Sequence, residues 1–147
     1  MAADWVVGLA KFVHVQDVLS LAILLIFAWF FFPRKKMFLI SLAGAGFVSF
    51  LLKELLHQAR PCVQAVGLVP CPADFGYPSI HAAISGILIM GSVGSPAFWI
   101  FAPLGLFVGY SRVVLGVHSP EQVLAGFALA FVAYLLAWLH VKKHDAV

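Results

Sequence analysis

Apolar positions in this chain come in long, nearly unbroken blocks separated by short polar punctuation. A helix on the surface of a soluble domain keeps a polar face, and these blocks leave almost none. The first runs from Val15 or Val18 to Phe32 and stops at Pro33-Arg34-Lys35-Lys36; the second runs from Met37 to about Leu56. Pro78 and Ser79 introduce the third, which ends between Gly91 and Ser95. The fourth extends from Pro96 to Tyr110 or Val114, and the fifth from Pro120 to about His140. Each approaches the roughly 20 residues a helix needs to cross a hydrocarbon core, the third being the shortest. The pattern predicts an all-α, polytopic membrane bundle of about five transmembrane helices. Trp5 to Val13 is apolar but broken by Gly8 and Lys11, so residues 1–14 are expected to form an interfacial segment, with a short buried helix as the alternative. A cleaved signal peptide is not expected, because Asp4 stands where a basic cluster belongs and the first long block ends in aromatics.

Composition agrees. The 147 residues are 63% hydrophobic and 10% charged, with a mean hydropathy of +1.05. That is a single domain, residues 1–147, without the polar surface of a soluble protein. The net charge of +3 does not indicate nucleic acid, since no dense basic stretch could follow a phosphate backbone. Arg34, Lys35 and Lys36 precede the second block, and Lys142 and Lys143 follow the fifth. In a five-span chain these lie on one side, which the positive-inside rule makes cytoplasmic. The 57–79 loop and the connection between blocks four and five then share the opposite, extracytoplasmic face. Cys62 and Cys71 fall in that 57–79 loop. They are candidates for a disulfide on an oxidising face, with two free thiols as the alternative. Two cysteines without a cluster of histidines or carboxylates make no zinc site, and no metal is expected.

The remaining polar residues gather in three runs at block edges. They are Lys53-(six residues)-Arg60-Pro61, Pro78-Ser79-Ile80-His81 and Ser111-Arg112-(five residues)-His118. The topology brings all three to the same face. Each residue has an ordinary explanation when taken singly: snorkelling lysine, loop anchor, helix cap or interfacial histidine. Together they supply three cations and two imidazoles, a set suited to holding an anion and attacking it.

In order and internal spacing the runs resemble the type 2 phosphatidic acid phosphatase (PAP2) superfamily, over Lys53 to about Gly126. The resemblance implies a membrane phosphatase without cofactor, acting through a phosphohistidine. Lys53, Arg60 and Arg112 would surround the phosphoryl oxygens, with Arg giving planar donor pairs and Lys a point charge. Ser79 and the backbone N–H of Ile80 would add donors at a helix start. His118 would be the nucleophile, and His81 the general acid that protonates the leaving oxygen and later activates water. Three fixed cations would replace a metal. Glu54, Asp74 and Tyr77 lie near enough in sequence to border the site, with packing as their default role.

Two positions depart from the commonest family pattern. Ile80 stands in place of Gly, which leaves the backbone donor intact. Gln122, four positions after His118, stands in place of an Asp. It can accept from His Nδ1–H but supplies no charge, and Gln at this place resembles the dolichyl diphosphatase and glucose-6-phosphatase branches. Ser119-Pro120-Glu121-Gln122 also reads as a capping box that starts a helix, and Glu121 is a second candidate partner for His118. The expected substrate is a membrane lipid phosphate or diphosphate, first of all a polyprenyl diphosphate. Phosphatidate or phosphatidylglycerol phosphate, phosphoryl transfer to an alcohol, and lipid-phosphate binding with little catalysis are the alternatives. Oligomeric state is not legible in the sequence.

Overall fold

The computed structural model describes residues 4–15, 25–65 and 67–144. The helices in chain order are α1 (Asp4–Val15), α2 (described over 25–31), α3 (Lys35–Leu56), α4 (Pro61–Gln64), α5 (Ile80–Ser92), α6 (Phe98–Val114) and α7 (Pro120–His144). No strand occurs among the described residues. The expected first span lies outside the described residues up to position 24.

The helix limits follow local chemistry. Pro33 separates α2 from α3, and α3 ends where His57 takes a left-handed conformation at φ 46°. Ser79 caps α5 by accepting the Ala82 N–H at 3.5 Å. Gly116, at φ +74°, lets the chain turn between α6 and α7, where a side chain would be strained.

Helix α5 is the centre of the bundle and packs against α3, α6 and α7. Burial on several sides explains why its sequence lacks a polar face. At 13 residues it is roughly 20 Å long, short of a hydrocarbon core of about 30 Å. Among the described residues, two helical stretches are long and apolar enough to cross a membrane: Lys35–Gln64, which continues α3, and α7. Blocks two to five therefore correspond to α3, α5, α6 and α7, but two of them, α5 and α6, are shorter than spans read from hydropathy alone. The core contains Phe32, which meets the rings of Phe38 and Phe101 edge-on at 5.0 and 5.2 Å. Large apolar side chains also point outward, with Trp99 80% and Phe30 74% exposed. An apolar exterior around a buried core is what a lipid solvent permits.

Small residues allow α7 to lie close on α5. A Cβ on Gly86 would come 2.6 Å from the Ala130 Cβ, and one on Gly126 would strike the Ser79 carbonyl and sit 2.8 Å from the Ala82 Cβ. Membrane helices rely on such close approach because apolar burial drives little association within lipid. Gly126 meets backbone, which cannot swing aside. Gly126→Leu is therefore expected to cost roughly 1–3 kcal/mol by overpacking, seen as a lower melting temperature of the purified protein in detergent. Gly8→Leu, where nothing lies within 4 Å, is the control that leaves it unchanged.

Candidate active site

The three runs meet at one end of the bundle. Lys53 lies in the last turn of α3, Arg60 just before α4, Ser79 and His81 at the start of α5, Arg112 near the end of α6, and His118 just before α7. Lys53, Arg60, Ser79, Arg112, His118 and Gln122 are all buried. Hydrogen bonds stitch the runs together. Arg60 Nη1 donates to the Val117 carbonyl at 3.2 Å and contacts His118 Nε2 at 2.7 Å. Ser79 N–H donates to the Gln122 carbonyl at 2.9 Å. The Arg112 carbonyl accepts from both Val117 N–H and His118 N–H at 3.2 Å, folding the third run back on itself. Arg112 is 1% exposed, with Nε donating to Ser111 Oγ at 3.3 Å. Cys62 and Cys71 are joined in a disulfide, so the pairing is the alternative that holds.

Gln122 performs both roles its sequence position offers. Its backbone N–H donates to Ser119 Oγ at 3.3 Å while Oε1 accepts Ser119 N–H at 3.2 Å, completing the capping box. The same Oε1 lies 3.0 Å from His118 Nδ1. An amide oxygen can only accept, so Nδ1 carries the hydrogen and the Nε2 lone pair faces Arg60. Glu121 is exposed, and the imidazole's Nδ1 partner is Gln122. Burial, followed by the positive charge of Arg60, pushes the His118 pKa down to about 3, against the hydrogen bond from Gln122. Weaker repulsion from Lys53 and His81 acts in the same direction, which places both within electrostatic reach. The imidazole is therefore neutral near pH 7, the state a nitrogen nucleophile requires.

Asp74, expected only to border the site with packing as its default role, is part of the cradle. Its carboxylate bridges Lys53 Nζ and Arg60 Nη2, the latter at 2.7 Å. The Asp74 carbonyl also accepts from Arg60 Nε at 3.0 Å, and the Phe75 carbonyl from Lys53 Nζ at 2.7 Å. Partial burial raises its pKa, but hydrogen bonds and attraction from Lys53 and Arg60 outweigh that and hold the carboxyl below its ordinary value. An acidic residue just ahead of Pro78 was the only available signal. Ile80 contributes the first residue of α5 and is partly buried, and Tyr77 precedes a cis Pro78. No cluster of metal-ligating side chains is present among the described residues. A cradle made of cations and N–H donors suits an anion instead.

The arrangement is that of a membrane phosphatase family, and the sequence comparison shows it. The chain belongs to the PAP2 superfamily, which it matches over residues 34–145. It is 26% identical over 146 residues to YbjG of Escherichia coli, provisionally named an undecaprenyl-diphosphatase, covering 92% of this chain and 74% of that one. It is 33% identical over 103 residues to the decaprenylphosphoryl-5-phosphoribose phosphatase of Mycobacterium tuberculosis, covering 65% of this chain and 56% of the relative. The chain thus spans little more than half the length of that relative. The crystal structure of a transmembrane PAP2 type phosphatidylglycerolphosphate phosphatase from Bacillus subtilis has the same fold. It superimposes with a TM-score of 0.69 at 20% identity, over 97% of this chain and 80% of the other. With its apolar helices, the chain is an integral membrane protein.

The bridging carboxylate occupies two of the cations that an anionic ligand would use. Asp74→Asn is expected to tighten binding of inorganic phosphate about fivefold, the equivalent of ~1 kcal/mol for a half-exposed ion pair. Isothermal titration of the purified protein measures it, and the melting temperature should fall in the same variant.

Proposed function

We propose that the chain is a phosphatase for a lipid phosphate or diphosphate, with a polyprenyl diphosphate as the preferred substrate. The observation that carries this reading is the neutral His118, its Nε2 lone pair held 2.7 Å from Arg60 beside Lys53 at the end of an apolar bundle. Substrate oxygens would take over the Arg60 and Lys53 donors, freeing Nε2 to attack phosphorus. A P–N bond forms, the P–O bond to the leaving group breaks, and His81 delivers its proton to that oxygen. Water, deprotonated by His81, then attacks phosphorus, the P–N bond breaks, and phosphate leaves with His118 neutral again. Arg112 and the backbone donors at Ser79 and Ile80 complete the charge-stabilising set. Gln122 keeps the imidazole in the tautomer that makes Nε2 the nucleophile.

The substrate class rests on two supports. The site lies at a helix end, where lipid headgroups would sit, and two relatives carry names that specify polyprenyl phosphates. Five spans, α1 in the membrane interface and the site on the extracytoplasmic face form the accompanying topology. Its support is the separation of charge along α3 and α7. Arg34 to Lys36 and Lys142–Lys143 lie at one end of the two helices, while Lys53 and Gln122 lie at the other. At that basic end the Lys35 and Lys142 ammonium groups stand over Trp29 and Trp138 at 5.1 and 5.0 Å, a pairing typical of a membrane interface.

Phosphate release from undecaprenyl diphosphate, undecaprenyl phosphate, phosphatidate, phosphatidylglycerol phosphate and sugar phosphates tests the proposal in detergent. The polyprenyl diphosphate should be cleaved fastest, with or without a chelator. His118→Ala should lower the rate by at least about a thousandfold, as loss of a covalent nucleophile does. Folded wild-type protein that releases nothing from the lipid substrates would overturn the reading, and strict dependence on a divalent ion would overturn the metal-free mechanism.

A further inference from the structure

The surroundings of Gln122 are built for an amide and against a carboxylate. Gln122 Nε2 donates to the Ala59 carbonyl at 3.1 Å and to Gln58 Oε1 at 3.2 Å. Its other end accepts from Ser119 N–H and lies against His118 Nδ1. The two ends are distinguished by groups that cannot exchange roles, because a backbone carbonyl never donates and a backbone N–H never accepts. Gly76 closes the slot. A Cβ there would lie 2.6 Å from Gln122 Nε2 and 2.8 Å from Oε1, and its N–H holds the Gln58 carbonyl at 2.8 Å. The amide thus occupies space left by a missing side chain, with all of its hydrogen-bonding directions engaged.

We propose that Gln58, the Ala59 carbonyl and Gly76 form a slot that admits a neutral amide at position 122 and rejects an ionised carboxylate. Gln58 and Gly76 become positioning residues for His118, although neither touches it. The inference rests on His118 acting in the phosphatase reaction. In a Gln122→Glu variant the ionised carboxylate, equal in shape to the amide, would set a negative oxygen against the Ala59 carbonyl, which cannot donate, and would require the Gln58 amide to turn over. Two acceptors cannot share a hydrogen that neither carries. The same carboxyl in its protonated form could still donate to Ala59 and accept from His118, so the variant should work only while that proton is kept.

The pH dependence separates this arrangement from an acid-supported histidine. Lipid phosphatase activity of Gln122→Glu should fall about tenfold or more as pH rises from about 5 to 8, while wild type shows no such decline. If the introduced carboxylate supported His118 as an ordinary acidic partner, activity would instead hold or rise across that range, and the proposal would fail. Gln58→Glu keeps an acceptor toward Gln122, and its own effect on kcat and KM is the single-variant reference. Combining it with Gln122→Glu places two carboxyls in contact, so the double variant should lose at least about fivefold more than the product of the single effects. Additive effects would remove Gln58 from the role. Gly76→Ala should lower kcat with little change in KM, and an unchanged kcat would remove Gly76.

Nitrogen-15 spectra of His118 provide a readout that needs no turnover. Wild type should keep its hydrogen on Nδ1 throughout that range, and Gln122→Glu should lose the single tautomer as the carboxyl ionises. A variant that keeps the Nδ1–H tautomer at every pH sinks the slot even if no lipid is hydrolysed. Conversely, a tautomer that follows the carboxyl in a protein without phosphatase activity would support the slot and overturn the functional reading alone.

Discussion

The carboxylate of Asp74, lodged between Lys53 and Arg60, is the interaction on which the site end of the molecule depends. Two buried cations at the edge of an apolar bundle repel each other and are costly to desolvate. One carboxylate offsets both effects and ties the end of α3 to the start of α4. The same contact fixes the 72–76 segment, because the Asp74 and Phe75 carbonyls accept from the same two side chains. With that segment held, Gly76 reaches Gln58 and the chain enters α5 where Ser79 can meet Gln122. The cradle is therefore one connected network that includes a residue outside the three runs.

The network keeps the cations in place before any substrate arrives. A phosphate meeting it would exchange one set of negative oxygens for another, so little rearrangement of the cations is required. Arg60 links the two halves of this process. It holds the carboxylate through Nη2 and faces the imidazole through Nη1, so the charge that positions the loop adds to burial in keeping His118 neutral.

Much of this was legible in the sequence because the physics involved is local. Hydropathy marks helices, a proline followed by serine marks a helix start, and the capping box at Ser119 and Gln122 can be read from four letters. The lengths of α5 and α6 were less legible, since a helix buried among helices looks as apolar as one facing lipid. Asp74 could be read only as a loop residue bordering the site, and Gln58 not at all. Their partners lie 21 and 64 positions away, and nothing periodic marks a loop carboxylate or an amide just past a helix end. Gly76 shows the same limit: its importance lies in the atom it lacks, and the neighbour filling that space belongs to another helix.

The disulfide between Cys62 and Cys71 closes residues 62–71, just ahead of Asp74 and Gly76. A covalent loop of about ten residues removes roughly 2–3 kcal/mol of chain freedom from the unfolded state, whereas the packing of α3, α5 and α7 involves no disulfide. Loss of the disulfide would leave the helical packing in place while the loop beside the cradle is held less firmly.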